Sequence, residues 1–180
     1  MSRDELVERF TLDRVGASPA VFDFQKLEWL NGVYLRELPT EEYANRLVAY
    51  LREQGYDWDE ALVRKAAPLV QEKMATLGEF PEFAGFLFRD VVPDPALLDG
   101  RVLLEAEQAL ADLEPFTTEA IEAQLRGLAE RLELKPRDAF QPIRVAVTGS
   151  KVSPGLFESI ELLGREQTLE RLRRARAEDV

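Results

Sequence analysis

Residues 22–36, FDFQKLEWLNGVYLR, combine the apolar spacing of a helix with Lys26, Trp29, Asn31 and Arg36. Unstacked RNA bases and phosphates need such a set of side chains: an aromatic stacking surface, amide donors and acceptors, and positive charge. The alternative is that Trp29 is a core residue and that Lys26 and Arg36 are simply solvated. Spacing alone favours this alternative, so by itself the stretch supports only a hypothesis of RNA contact.

Helical periodicity continues along almost the whole chain. In residues 41–54, for example, apolar side chains recur on one face of a helix. Residues that favour helix starts and stops separate such stretches. The predicted N-caps are Thr40, Asp57, Thr117 or Thr118, and Ser153 with Pro154 in the first turn. The predicted stops are Gly55 and Gly164. A last helix, from about residue 166 to residue 176, should bury Leu169 and Leu172. The sequence therefore predicts an all-α fold.

One stretch, IRVAVT at residues 143–148, alternates like a strand. No neighbouring segment is suited to pair with it, and Pro142 just before it fits the first turn of a helix. We therefore interpret the stretch as helical. Arg144 is the lone cation in this apolar run; it is either a structural arginine, which extends to solvent or caps a helix, or a functional cation.

The composition bounds the class of protein. With 46% hydrophobic and 32% charged residues among 180, the chain fits a soluble globular protein of one large or two small domains. No apolar run approaches the roughly 20 residues of a membrane span, and the first residues lack the apolar region of a secretory signal. We expect a cytoplasmic protein with no membrane partner.

The chain also lacks the residues of several common kinds of active site. Cysteine and histidine are absent, which excludes disulfides, thiolate zinc sites, cysteine nucleophiles and Ser-His-Asp catalysis. There is no Gly-rich phosphate loop. Pairs of carboxylates such as Glu41 and Glu42 are interpreted as solvated helix faces. We assign no catalytic residue and no metal site.

The formal net charge of −11, taken alone, argues against nucleic acid as a partner, because Lys and Arg drive phosphate binding. The distribution of charge matters more than its sum. Five arginines near the C-terminus allow a local basic face on an acidic body: Arg165, Arg171, Arg173, Arg174 and Arg176. The competing hypothesis is an acidic helical module for protein–protein interaction that does not bind RNA.

Three further segments follow residues 22–36 in an order that matches a known family. They are IRVAVTGS at residues 143–150, SPGLF at residues 153–157 and LLGRE at residues 162–166. Together the four segments make nearly the whole chain resemble the C-terminal, anticodon-binding region of bacterial-type glutamyl-tRNA synthetases. The resemblance implies a multi-helical, cage-like fold, an α-α superhelix, that recognises tRNA.

Breakers concentrated in VVPDP, residues 91–95, predict a seam between two helical subdomains. The resemblance assigns residues 1–37 to the end of the stem-contact region and its connecting helix. It assigns residues 38–98 to a first anticodon-binding subdomain and residues 99–180 to a second.

The resemblance also assigns roles to single residues. The positions that match tRNA contacts of the family are Lys26, Trp29, Asn31, Lys73, Arg144, Ser153, Pro154 and Leu156. The first three belong to a tRNA-contacting segment, Arg144 matches an arginine on the first anticodon base, and the last three match a turn that packs against flipped-out bases. A serine–proline helix start offers backbone N–H groups and a small apolar platform, which suits a splayed base. The same pattern is also an ordinary helix cap.

Lys73 departs from the pattern of the family. Aligning Thr76-Leu77 with the family's Thr-Leu anchor puts Lys73 where discriminating enzymes have an arginine, which reads the third anticodon base and rejects glutamine tRNA. An arginine can direct two donors at O2 and N3 of cytosine, whereas lysine offers a point charge. We therefore expect Lys73 to prefer cytosine less sharply.

The parent reaction of the family is the ATP-dependent attachment of glutamate to its tRNA, with ATP and Mg as cofactors. The His-rich ATP motif and the Lys-Met-Ser-Lys-type loop of the catalytic part do not occur here, since Lys73-Met74 is followed by Ala75-Thr76. The resemblance thus implies a non-catalytic part of the enzyme with no cofactor of its own. The expected partners are the anticodon loop of glutamate tRNA and the missing catalytic domain of the same protein, and we expect a monomer.

Overall fold

The computed structural model describes residues 3–16 and 21–178; the predicted ranges 1–37 and 99–180 extend beyond these residues. Ten α-helices follow one another within the described part: α1 Arg3–Arg9, α2 Phe24–Glu37, α3 Thr40–Glu53, α4 Glu60–Gln71, α5 Phe80–Phe83, α6 Gly100–Ala111, α7 Thr118–Arg131, α8 Pro136–Thr148, α9 Leu156–Leu163 and α10 Arg165–Glu178. Short 3-10 turns lie at Leu12–Arg14, Leu77–Glu79, Gly85–Leu87 and Pro95–Leu97. The same residues contain no strand, so the all-α prediction is confirmed.

Side-chain caps set the starts of several helices. Asp23, Asp59 and Asp99 each accept hydrogen bonds from backbone N–H groups in the first turns of α2, α4 and α6. Thr117 does the same for α7, as predicted. These caps satisfy donors that a helix start otherwise leaves unpaired.

The boundaries of α3 differ from the prediction at its start and agree with it at its end. Pro39 occupies the N-cap position and Thr40 is already helical, so the predicted Thr40 cap is wrong by one residue. At the other end Gly55 has φ +83°, and the Tyr56 N–H donates to the Leu51 carbonyl at 2.9 Å. This left-handed turn is the stop that glycine permits at low cost.

The predicted cap of α4, Asp57, is wrong, because aromatic contacts hold the residues around it out of the helix. The Trp58 ring stacks on Phe88 with centroids 4.5 Å apart, and Tyr56 lies 4.5 Å from Trp58. The helix therefore starts after these rings, and Asp59 caps it.

The strand-like run at residues 143–148 lies in the second half of α8, so its helical interpretation is confirmed. The helix begins at Pro136, so Pro142 lies inside it and not in its first turn as predicted. α8 packs against α6, α7, α9 and α10. Contacts on several sides bury nearly every residue of the run, which is why its pattern does not show a single apolar face.

Buried side chains form two clusters that follow one another along the chain. The first extends from Leu35 to Val91 and the second from Val102 to Ala175. Leu163 packs at the edge of both clusters. The clusters lie on the two sides of the predicted seam, while the subdomain boundaries stay a prediction.

Arg171 of α10 joins the two halves. Its Nη1 donates to the Val147 carbonyl at 2.6 Å, and its Nη2 donates to the carbonyls of Phe86 at 2.8 Å and Arg89 at 3.0 Å. Irregular backbone beside the 3-10 turn leaves such carbonyls without helical partners, and a buried carbonyl needs a donor. Arg171 is only 6% exposed, so its charge is a structural part of the junction.

The C-terminal arginines that allowed a basic face are engaged with the protein, although Arg173, Arg174 and Arg176 keep part of their surface exposed. Besides Arg171, each of these side chains has a protein partner: Arg165 on Glu114, Arg173 and Arg176 on Glu107, and Arg174 on the Val91 carbonyl. The reason is that α10 packs along α6 and against the segment that leads out of the first half, both of which present acceptors to it.

The N-terminal residues contrast with this packed body. Most of the large exposed apolar side chains of the described residues lie between positions 6 and 34: Leu6, Val7, Phe10, Leu12, Val15, Val21, Phe22, Phe24, Leu27, Trp29, Leu30 and Tyr34. We call these residues the N-terminal apolar surface. None of the described helices combines the length and the apolar character that a membrane span requires.

Candidate nucleic-acid interface

The loop after α8 forms a ridge, residues 150–152, at the junction of the two halves. Gly149 ends the helix with φ +73°, and a Cβ there would lie 3.0 Å from the Cβ of Val91. Glycine is therefore needed both for the turn and for the close approach. Beyond it, the Ser150 N–H donates to Thr148 Oγ1 at 3.3 Å and the Val152 N–H donates to Ser150 Oγ at 3.1 Å. These bonds fix the shape of the ridge.

A groove opens on each side of the ridge. The acidic groove, of about 170 Å³, is lined by Glu79, Glu82, Phe83, Ser150 and Val152. The basic groove, of about 300 Å³, is lined by Pro136, Arg137, Phe140, Gln141, Arg144 and Lys151. Since adjacent ridge residues line different grooves, a strand of RNA crossing the ridge would meet both.

Arg144 is half-buried in the wall of the basic groove, and its own protein bonds use one nitrogen. Nη1 donates to Ser153 Oγ and, at 2.8 Å, to the Pro154 carbonyl. The Nε–H and the Nη2 hydrogens have no hydrogen-bond partner among the described residues. Guanidinium donors lie in a rigid plane, so the two bonds at Nη1 orient the open edge for a planar acceptor.

Electrostatics support a role for that edge. Burial lowers the pKa of Arg144 from its ordinary value, and nearby Glu158 partly opposes this effect. Arginine stays charged even so. A cation that has already lost part of its hydration interacts more strongly with a base or phosphate than a fully solvated one.

The turn at Ser153 differs from the predicted helix start. Gly155 is the N-cap of α9 and Leu156 its first residue, so Ser153 and Pro154 precede the helix. Ser153 is 7% exposed, and its Oγ donates to the Pro154 carbonyl while accepting from Arg144. The predicted Ser153 cap is wrong because its hydroxyl is already engaged there.

Leu156 is 3% exposed and belongs to the second core. Pro154 is buried as well. The Arg144 side chain is held by Ser153 Oγ and the Pro154 carbonyl, whereas Leu156 belongs to the core. Direct contact of Pro154 or Leu156 with a base stays a prediction.

Lys73 lies on the other side of the ridge. It is exposed in the turn after α4, with its Nζ 6.0 Å from the centroid of Phe83. Phe83 lines the acidic groove together with ridge residues. Lys73 thus stands beside the acidic groove, not in the groove that contains Arg144, and its reading of a base stays a prediction.

The three predicted residues of α2 separate into different roles. Asn31 Nδ2 donates to the Ala75 carbonyl, two residues beyond Lys73, and so ties α2 to the Lys73 turn. Trp29 is 63% exposed, so the alternative that it is a core residue is wrong. Lys26 is exposed in the first turn of α2. The structure brings Asn31 near Lys73 but does not place Lys26 or Trp29 in either groove.

Sequence reasoning missed Arg137 and Lys151. Arg137 precedes Arg144 by seven residues, which is two helical turns, so α8 carries both on one face. That spacing was a usable signal. No sequence signal placed Lys151 beside them, because its position depends on the contact between Gly149 and Val91.

Comparison with known proteins identifies the fold. A family model described as an anticodon-binding domain matches residues 42–176. The chain belongs to this anticodon-binding domain family. The match covers both halves of the domain and the ridge between its grooves. It favours RNA recognition over the competing hypothesis of an acidic protein–protein interaction module.

Relatives of this anticodon-binding domain agree with that assignment. The chain is 45% identical to a glutamate–tRNA ligase of Roseiflexus sp. over 193 aligned positions, covering 98% of the chain and 38% of the ligase. It is 43% identical to a glutamate–tRNA ligase of Thermus thermophilus, with 97% of the chain and 39% of the ligase covered. The chain thus spans about two fifths of the curated relatives that it matches.

A solved structure shows the same fold. The crystal structure of a glutamate–tRNA ligase from Elizabethkingia meningosepticum, in complex with its amino acid, superposes with a TM-score of 0.78 at 23% identity. The superposition covers 98% of this chain and 37% of that one. The helical arrangement is therefore retained where most side chains differ.

Proposed function

We propose that this domain binds the anticodon loop of a glutamate-accepting tRNA, as the recognition part of a glutamate–tRNA ligase. The observation that carries the proposal is the open edge of Arg144, oriented by Ser153 and Pro154 toward a groove wide enough for a base. Membership of the anticodon-binding domain family and the names of the relatives support the kind of RNA.

The two grooves suggest how a loop would be read. Arg144 contacts the first anticodon base in the basic groove, and Lys73 contacts the third on the side of the acidic groove. Val152, which is 66% exposed on the ridge, separates the bases. Bases that are splayed apart in this way expose edges that a stacked helix hides.

The experiment compares two RNAs that differ only in the anticodon. Binding of the chain is measured by fluorescence anisotropy with glutamate tRNA and with the same tRNA carrying three replaced anticodon bases, at fixed salt. The expected loss of affinity is at least about tenfold, which corresponds to roughly 1.4 kcal/mol. Equal affinity for both RNAs would overturn the proposal.

In the proposed whole ligase, residues outside this chain perform the ATP-dependent ligation, in the cytoplasm and as a monomer. The N-terminal apolar surface supports a partner there, because large apolar patches on soluble proteins mark interfaces. The catalytic domain of the ligase is the partner that we propose for it. Oxidative footprinting at Trp29, read by mass spectrometry, should show less labelling in full-length ligase than in this chain. Equal labelling would exclude burial of that residue.

A further inference from the structure

We propose that the basic groove also holds the RNA backbone, with Arg137 and Lys151 binding the phosphates that flank the nucleotide read by Arg144. The inference rests on the proposed function and adds two contacts to it. Arg137 comes from the first turn of α8 and Lys151 from the ridge, and both line the groove that contains Arg144.

The protein itself makes no use of these two cations within its described residues. Arg137 and Lys151 are exposed, and neither side chain has a hydrogen bond or ion pair to any described residue. The chain has 34 Asp and Glu against 23 Lys and Arg, so carboxylates are abundant. Unpaired cations also occur singly elsewhere, as at Lys65 and Arg101, but here two of them line the groove that holds Arg144, and this convergence points to an anionic ligand.

Repulsion between an RNA phosphate and the carboxylates of this acidic protein acts only over a short distance. Exposed charges further apart than about 8 Å are largely screened at physiological ionic strength. A phosphate in the basic groove therefore interacts mainly with the charges near it, in which Arg137, Lys151 and Arg144 outnumber Asp138 and Glu158, and only weakly with the distant acidic surface. The net charge of −11 slows the approach of RNA without preventing binding at this place.

The basic groove offers separate places for a phosphate and for a base. Phe140 and Gln141 lie between Arg137 and Arg144 along α8. The Phe140 ring packs edge-on against Phe157, with ring centroids 5.4 Å apart. The ring gives a base an apolar surface for stacking, and the amide gives it a donor and an acceptor. The first turn of α8, where Arg137 lies, adds the positive end of the helix dipole near the phosphate.

The test uses Arg137→Gln, Lys151→Gln and the double variant. Dissociation constants are measured between 50 and 300 mM salt for glutamate tRNA and for the anticodon-replaced tRNA. Each lost phosphate contact should reduce the slope of log K against log salt by about 1. The double variant should weaken both RNAs by the same factor, about three- to tenfold at intermediate salt, so the preference between them should not change.

Matched controls are Arg101→Gln and Lys65→Gln. Both residues are exposed cations outside the two grooves, and their side chains also lack a partner within the described residues. They should leave the salt slope unchanged. Urea unfolding of all variants should match that of the parent chain, because no described contact is removed.

The outcomes separate the two proposals. If the parent chain distinguishes the two RNAs while the double variant keeps its affinity and slope, the phosphate contacts are overturned and anticodon reading stands. If the parent chain does not distinguish the RNAs but the double variant loses slope, the groove binds RNA backbone and the proposed anticodon reading fails.

Discussion

Arg144 and Arg171 are both arginines whose pKa burial lowers, yet they serve different ends. Arg171 engages both terminal nitrogens with three carbonyls of the protein, whereas Arg144 engages only Nη1 and leaves its other edge open. The first arginine completes the junction between the halves, and the second is oriented by the protein toward a groove. Burial of an arginine therefore does not show that it binds a ligand. The N–H donors that the protein leaves without a partner do.

The same difference holds for the surroundings of the two arginines. In α10 the neighbouring cations are all paired with protein acceptors. In the basic groove Arg137 and Lys151 have no such partner among the described residues. The cluster of arginines in α10 therefore does not by itself mark a surface for RNA, because these charges satisfy acceptors of the packed body.

The largest effect that tests this comparison is expected for Arg171→Leu. Two buried carbonyls and one part-buried carbonyl lose their donor, and a buried unsatisfied group costs about 1–3 kcal/mol. We expect the free energy of unfolding to fall by about 3 kcal/mol in urea titrations. At a temperature where the variant is folded, its affinity for glutamate tRNA should equal that of the parent chain.

The control is Arg173→Leu, which removes an exposed α10 arginine paired with Glu107. Glu107 is only 15% exposed but keeps Arg176 as a partner at 3.2 Å, so stability should fall less than in Arg171→Leu. Loss of tRNA affinity without loss of stability in Arg171→Leu would show that α10 contacts RNA. It would contradict the assignment of Arg171 to the protein junction alone.

Arg144→Ala should show both kinds of effect. A good base contact is worth about 1–3 kcal/mol, so tRNA affinity should fall by that amount. Sequence alone predicts almost no change in melting temperature, but the bonds to Ser153 and Pro154 imply a loss of about 1 kcal/mol in stability. Calorimetry and anisotropy measure the two quantities separately. A large loss of stability with unchanged affinity would show that Arg144, like Arg171, is a structural residue.

The helices were predictable because their apolar spacing and several of their caps are local features, as at Gly55, Thr117 and Gly164. Errors arose where contacts distant in sequence decide the boundary, as when Trp58 stacks on Phe88 and delays α4. Family resemblance, and not periodicity, pointed to Arg144 and the Ser153 turn, which the structure places in hydrogen-bond contact.

The remaining features of the site required three dimensions. Lys151 joins the basic groove only because Gly149 turns the chain against Val91. Likewise, the structural role of Arg171 could not be read from the sequence, because the carbonyls that it binds belong to segments 24 to 85 residues away. Sequence indicates which residues are cationic, and tertiary structure decides which donors stay free.

Lys73 differs from both arginines. It has neither the hydrogen bonds to carbonyls that hold Arg171 nor the planar, oriented guanidinium of Arg144. Its single ammonium lies 6.0 Å from the Phe83 centroid and can turn toward either cytosine or guanine. Lys73→Arg should therefore raise the preference for glutamate tRNA over glutamine tRNA, and Lys73→Gln should lower it, each by less than about tenfold. The measurement is the ratio of dissociation constants for the two tRNAs, with Lys65→Gln as the control for loss of an exposed charge on α4. Three equal ratios for the parent chain, Lys73→Arg and Lys73→Gln would show that the third base is read elsewhere, and Arg144 would then be the one cation still proposed to read a base in the two grooves.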